Sequence, residues 1–252
     1  MAFEGLKNRV NAVKASGKAP LIVNVHIPKT AGSTLRHQIV KHLPIYRVDP
    51  VATFDDYYKD LANRLGGVIG TVATRTDTMF ASGHYRFRDA RTVLAPIKDQ
   101  CFIVAFIRDP VKRFLSDYYY SISDTNLTHA AMRQQYPTVE HYIRAPGQSN
   151  KQLEYLRPWE GASVGETFDA LIAECALVGI ADDYEDHADY LFDAFGLPER
   201  PRNEKRNVGT DQQGMSQAHA RFRDVVAEAH EYEVDLYNLL RAATAWIGKA
   251  RR

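Results

Sequence analysis

Residues 21–35, LIVNVHIPKTAGSTL, constrain this chain more than any other stretch. They open with an apolar, largely β-branched run, Leu21-Ile22-Val23-Asn24-Val25-His26-Ile27, which predicts a buried strand. Pro28 has no N–H to donate and ends the ladder. Lys29-Thr30-Ala31-Gly32-Ser33-Thr34 follows, small and hydroxyl-rich behind one cation. Leu35, Ile39 and Leu43 then recur at helical spacing until Pro44. A strand that passes through small residues straight into a helix leaves unpaired N–H groups directed at one spot, where the helix dipole favours an anion. Lys29 adds charge there, and Thr30, Ser33 and Thr34 add hydroxyl donors. The stretch is predicted to cradle a phosphate or sulfate. Lys29-Thr30 matches the end of the Walker A pattern, but no glycine precedes it in the loop, so the cradle is not that of the ATPases.

A second near-continuous apolar run, Cys101-Phe102-Ile103-Val104-Ala105-Phe106-Ile107, predicts another buried parallel strand. It ends in Arg108-Asp109-Pro110, and Val111, Phe114, Leu115, Tyr118 and Tyr119 mark the next helix, with Pro110 at its start. Arg108 thus stands at the carboxyl end of a strand, where open α/β sheets bind ligands. Ser116 lies on the helix, placed to converge with Arg108 on one phosphate. The alternative is a structural Arg108-Asp109 ion pair and a surface serine. Met79 to Phe87 reads as extended and puts Gly83-His84 near a strand end. Among nine histidines, His84 is the candidate base and His26, just before the loop, the other contender; a histidine titrates near neutrality.

The remaining pattern alternates. A short helix is expected over the first residues up to Gly17, a helical patch over 54–65, a turn at Gly66-Gly67, and a short helix or loop over 92–97. Phe168, Leu171, Ile172 and Cys175 predict a helix, residues 177–180 a strand, and residues 184–195 a helix closed by Gly196. Residues 198–214 form a basic loop. One last helix, about 216–247, should bury Phe222, Val225, Val226, Ala229, Leu236, Tyr237 and Leu240. Residues 124–163, with Pro137, Pro146, Gly147 and Pro158, read as a long irregular insertion. Alternating strands and helices predict a three-layer α/β fold, with a central, mainly parallel sheet covered on both faces. A chain of 252 residues suits a single domain over 1–252.

A formal charge of +1 carries no general signal for nucleic acid or membrane. Cys101 and Cys175 lie in apolar segments as reduced core residues, which suits a cytoplasmic protein. The longest apolar run is far short of the ~20 residues that span a bilayer, and the first residues lack the apolar core of a secretory signal. No ligand spacing such as C-x-x-C or H-E-x-x-H appears, so no metal is expected.

Two segments, residues 27–34 (IPKTAGST) and residues 108–120 (RDPVKRFLSDYYY), resemble the signature motifs of sulfotransferases that use 3′-phosphoadenosine 5′-phosphosulfate (PAPS). The likeness is closer to the carbohydrate branch, which includes heparan sulfate 2-O-sulfotransferase. The resemblance implies a P-loop-like fold and no metal requirement. Lys29, Thr30, Ala31, Gly32, Ser33 and Thr34 would hold the 5′-phosphosulfate, and Arg108 and Ser116 the 3′-phosphate. Gly83-His84 resembles the family's Gly-His, whose histidine is the usual base. Val178-Gly179-Ile180 and Phe195-Gly196-Leu197-Pro198 resemble a later strand and helix. Arg206, Asn207 and Gly209 resemble the late loop over the cofactor. Ala181-Asp182-Asp183 departs from the Thr-Glu or Ser-Glu of relatives, so no role passes to it.

The expected reaction is sulfuryl transfer from PAPS to an acceptor hydroxyl, leaving adenosine 3′,5′-bisphosphate (PAP). Lys29 would neutralise the leaving oxygen and His84 take the proton. Arg86, Arg88 and Arg91, with Arg200, Arg202, Lys205 and Arg206, suit an acidic saccharide, and the acceptor is read as a saccharide or glycolipid. The competing readings are a P-loop kinase or NTPase using Mg-ATP, with Asp109 in a Walker B role, and a nucleotide-binding module without turnover.

Overall fold

A computed structural model describes residues 2–43, 45–47, 66–145, 147–200 and 212–249. Five strands, β1 (Leu21–Val25), β2 (Ile45–Arg47), β3 (Met79–Gly83), β4 (Cys101–Ile107) and β5 (Leu177–Ile180), form one sheet in the order β2-β3-β1-β4-β5. Every neighbouring pair is parallel. All residues of β1, β3, β4 and β5 are buried, which a sheet achieves only when helices cover both faces. The core continues from these strands into α1 (Leu6–Ala15), α9 (Val164–Glu174), α10 (Tyr184–Phe195) and α12 (Glu231–Lys249). This is the α/β architecture expected from the alternating pattern.

The strand order fixes where a ligand can sit. From β1 the chain runs out to the edge strand β2, returns to place β3 beside β1, then crosses over to place β4 on the other flank of β1. A crevice opens at such a reversal, outside the carboxyl ends of the strands. Val25 at the end of β1 is level with Gly83 of β3 and with Ala105 of β4. The segments after these three strands therefore meet at one edge. The next elements are α2 (Gly32–Ile39) after β1, α4 (Phe87–Val93) after β3, and α5 (Pro110–Ser121) after β4.

Local chemistry starts and stops these elements. Asp109 caps α5, its side chain accepting from the Lys112 N–H, and Pro110 fills the first turn. Ser163 and Glu166 form a reciprocal capping box on α9. Gly196, at φ 67°, closes α10 in the left-handed region.

Several elements differ from the sequence pattern. β1 ends at Val25 and α2 at Ile39, short of Ile27 and Leu43. Gly66-Gly67, expected to turn, lie in a helix over 66–72 (α3), anchored by buried Val68 and Val72. The patch expected over 54–65 lies outside the described residues. Residues 124–163 carry three short helices, α6 (His129–Gln135), α7 (Val139–Ile143) and α8 (Lys151–Leu156). None is long enough to register as a period in sequence. The single last helix is two, α11 (Gln212–Ala229) and α12, broken at His230. His230 is completely buried. Its Nδ1 accepts from the Asn150 N–H at 3.1 Å, and its carbonyl starts α12 by accepting from Glu233 and Val234 at 2.9 and 3.0 Å. Within α11, ahead of the break, Val225 is exposed and Ala229 only half-buried, where both were expected to be buried.

Packing is close at β5, where a Cβ on Gly179 would fall 2.5 Å from the Phe106 ring. Gly179→Ala should therefore destabilise the fold by about 1–3 kcal/mol of overpacking. Urea denaturation checks this, and an unchanged midpoint would contradict the packing.

Candidate functional site

The loop after β1 carries unusual backbone. Lys29 and Ala31 both adopt φ 69°, a left-handed conformation that costs a non-glycine residue roughly 1–2 kcal/mol. The reward is geometric: the chain leaves the sheet and enters α2 within a few residues. The N–H groups of Thr34 and Leu35 bond back to the Ala31 carbonyl at 3.0 and 3.1 Å. Those of Gly32 and Ser33 lie in the first turn, where a helix supplies no partner. Buried Thr30 donates its hydroxyl to the Ile27 carbonyl at 2.9 Å and braces the loop from inside.

Lys29 Nζ lies 4.1 Å from the centre of the Tyr120 ring on α5, a cation–π contact. Burial holds its pKa below the ordinary lysine value; Asp117 opposes the shift and Arg108 adds to it. Two cations thus stand close enough to repel each other at the sheet reversal.

The end of β3 supplies His84. Its Nδ1 is 2.7 Å from the carbonyl oxygen of His26. A carbonyl only accepts, so Nδ1 carries the proton and Nε2 is the basic nitrogen of the neutral ring. His84 is half-buried. His26, the other contender, stacks on it with ring centres 4.3 Å apart and planes 23° from parallel. His26 is only 5% exposed. Burial, with smaller contributions from His84 and Arg36, pushes its pKa down to about 3. A ring so buried is held neutral near pH 7 and is shielded from solvent.

Arg108 follows β4. Its Nη1 is 3.5 Å from the Lys29 carbonyl, so the two loops touch across the reversal. Its peptide is gripped from both sides by one amide: Gln152 Oε1 accepts from the Arg108 N–H at 2.8 Å, and Gln152 Nε2 donates to the Arg108 carbonyl at 2.9 Å. Gln152 is itself held by Glu233, whose carboxylate accepts from Gln152 N at 2.8 Å and Nε2 at 2.6 Å. Fully buried Arg113 lies 3.4 Å from both Glu233 and Asp117. Burial opposes ionisation of Asp117, but Lys151 at 2.9 Å and Arg113 hold its pKa below the usual carboxylate value. Ser116 sits half-exposed on α5, past Arg108.

Sequence reasoning missed Gln152, Glu233 and Asp182. Asp182 accepts from the Asp109 N–H at 3.1 Å, Lys112 Nζ at 2.6 Å and the Tyr237 hydroxyl at 3.2 Å, so it holds the head of α5. Its acidic pair after β5 was the available signal. Two expected acceptor-binding arginines are committed elsewhere. Arg200 is fully buried between Glu185 and Asp189, and Arg91 pairs with Glu174 at 2.7 Å. Arg202, Lys205, Arg206, Asn207 and Gly209 lie outside the described residues. Among the described residues no cluster of His, Cys, Asp and Glu could hold a metal ion, and no helix is long and apolar enough to cross a membrane.

A crystal structure of a sulfotransferase from Alicyclobacillus acidocaldarius aligns with this fold at a TM-score of 0.50 and 13% identity, over 87% of this chain and 96% of that one. A mouse sulfotransferase, SULT7A1, solved with PAP, aligns at a TM-score of 0.35 and 12% identity, over 85% of this chain and 69% of that one. No family model matches the chain, and no curated protein matches it in sequence. At such identity the first likeness shows the fold alone, a P-loop-like α/β architecture.

Buried histidines make stability pH-dependent, His26 and His230 above all. His26 is pushed down to about 3, and His230 to about 4 by burial and then by Arg113. The unfolded chain protonates each near about pH 6.5, so below that pH the unfolded state binds more protons. Stability is complete above about pH 6.5 and falls toward about pH 4, by up to roughly 1.4 kcal/mol per pH unit for each histidine. Urea midpoints measured at about pH 7.5 and about pH 5 should decline accordingly; a flat profile would contradict neutral burial.

Proposed function

We propose that this protein is a sulfotransferase that moves a sulfuryl group from PAPS to an acceptor hydroxyl. The observation that carries the reading is the meeting of Lys29, His84 and Arg108 at the carboxyl ends of β1, β3 and β4, with Lys29 and Arg108 close enough to repel. A doubly anionic ligand relieves that repulsion, so the residues fit the cofactor. The sulfotransferase fold and the two sequence motifs support the same reading.

PAPS, when bound, supplies an activated sulfuryl group. Lys29 and the Gly32 and Ser33 N–H groups hold the phosphosulfate end, with Ser33 and Thr34 adding hydroxyls. Arg108 and Ser116 hold the 3′-phosphate. Lys29 would neutralise charge on the leaving phosphate oxygen, and His84 Nε2 would take the acceptor proton. Positioning and charge stabilisation dominate such chemistry. Arg206, Asn207 and Gly209, outside the described residues, would add cofactor contacts by the motif likeness alone. The acceptor is a saccharide or glycolipid, in keeping with the motif likeness to the carbohydrate branch.

The Mg-ATP kinase is not favoured. Asp109, the residue it would need for metal, instead caps α5 through the Lys112 N–H at 2.9 Å and lies before Pro110.

The test is a thermal-shift titration with PAP, beside ATP with and without Mg²⁺. PAP at a hundred times its Kd should stabilise the fold by ~2.7 kcal/mol without metal. Arg108→Ala should weaken PAP binding more than about tenfold, a loss of about 1.4 kcal/mol or more. Lys29→Ala and His84→Ala should each abolish most transfer, the latter with PAP affinity nearly intact. Preference for Mg-ATP, or silence toward PAP in a folded sample, would overturn the proposal.

A further inference from the structure

Asn24-Val25-His26 at the end of β1 and Ser82-Gly83-His84 at the end of β3 share one pattern, a polar residue two places before a histidine. The strands pair with Asn24 level with Ser82 and Val25 level with Gly83. Side chains alternate along a strand, so this register stacks two polar rungs on one face. The inner rung is a hydrogen bond, Asn24 Nδ2 to Ser82 Oγ at 2.9 Å. The outer rung is the His26–His84 stack. The backbone extends the tie: the His26 N–H donates to the Gly83 carbonyl at 2.9 Å, and the His26 carbonyl accepts from His84 Nδ1 at 2.7 Å.

The His26 ring also lies against the head of α2. A Cβ added to Gly32 would lie 2.1 Å from His26 Cδ2 and 2.6 Å from its Nε2. Gly32 is therefore small because the His26 ring occupies the space a side chain would take. Buried His26 Nδ1 has no hydrogen-bond partner, so the ring is not fixed there by a polar contact at that atom. Its place is set by packing between Gly32 and His84.

We infer that His26 is a positioning residue: its ring, wedged between the first residue of α2 and the His84 imidazole, sets the plane in which His84 presents Nε2. The wedge also joins two parts of the site that sequence treats separately, the anion loop and the base. A shift of the loop moves Gly32, Gly32 bears on His26, and His26 bears on His84. The inference deepens the proposed function and rests on His84 being its base, yet its first readout needs no turnover.

That readout is the ring ¹⁵N spectrum of the full-length protein with labelled histidine, which reports which ring nitrogen carries the proton. In the wild type His84 should show a single Nδ1–H tautomer. His26→Ala keeps the His26 carbonyl but removes the ring that holds the His84 plane against it, so the Nδ1–H bond should weaken and His84 should show a mixture of tautomers, with PAP affinity within about twofold of wild type. Gly32→Ala should drive the His26 ring aside and produce the same mixture, which keeps the test open if His26→Ala folds poorly. In the double variant Gly32→Ala should add nothing further, because the ring it displaces is gone; contacting residues are non-additive in this way. An unmixed wild-type tautomer in folded His26→Ala or Gly32→Ala, or full additivity in the double variant, would overturn the inference. Failure of the wild type to bind PAP would instead sink the functional reading and leave the tautomer result standing.

Discussion

The peptide of Arg108 is the point on which the site depends. An arginine at a strand end reaches a ligand in a fixed direction only if its backbone stops moving, and here the ladder has just ended. Gln152 replaces the missing strand neighbour, pairing with both the N–H and the carbonyl of one residue. The clamp is stiff because Gln152 is tied to Glu233, which lies against Arg113. Arg113, Glu233 and Gln152 are almost wholly buried. Removing one member of such an ion pair leaves a charge stranded in low dielectric, a cost of about 3–5 kcal/mol. The fold is therefore bound to keep the clamp, and β4, α5, α8 and α12 are held in one arrangement by a feature that also aims Arg108.

The loop after β1 is organised by the opposite means. There the backbone is strained, with Lys29 and Ala31 both left-handed, and strain of this kind persists only where its surroundings over-determine it. Thr30 bonds inward to Ile27, Lys29 rests on Tyr120, and Gly32 packs on His26. Each contact is modest alone. Together they hold a turn that would relax in isolation, and they present N–H groups and a cation before any ligand arrives, which is the arrangement that lowers reorganisation cost.

Much of this was legible from sequence where the signal was local. The runs 21–27 and 101–107 are apolar enough to specify buried parallel strands, and Pro110 after Asp109 marks a capped helix. The small residues after Lys29 announce a helix N-terminus close to a strand. What escaped is long-range. Gln152 lies in a polar, proline-bearing stretch that reads as a loop, and its partners are 44 and 81 residues away. His230 interrupts a helical period that would otherwise run on, because burial of its ring outweighs continuity of the helix. Arg200 shows the converse error: a basic side chain in a basic stretch looks available to a ligand, yet it is fully buried against two carboxylates of α10.

The charge distribution follows one logic. Asp117 is the acid coupled to Lys29, but it is already engaged by Lys151 and Arg113 and bonded by the Tyr142 hydroxyl at 3.3 Å. Its charge is shared among several donors, and Lys29 keeps a net push from burial that lowers its pKa. A full salt bridge to Lys29 would stabilise the resting protein, but an incoming anion would then have to break it. Leaving Lys29 on an aromatic face costs less to undo, since a cation–π contact at a partly exposed site contributes only about 0.5–1 kcal/mol. The carboxylates nearest the reversal are turned instead to structure: Asp109 to the α5 cap, Asp182 to Lys112, and Glu233 to the clamp. The cations at the sheet edge are thereby kept weakly paired while the acids hold the frame that positions them.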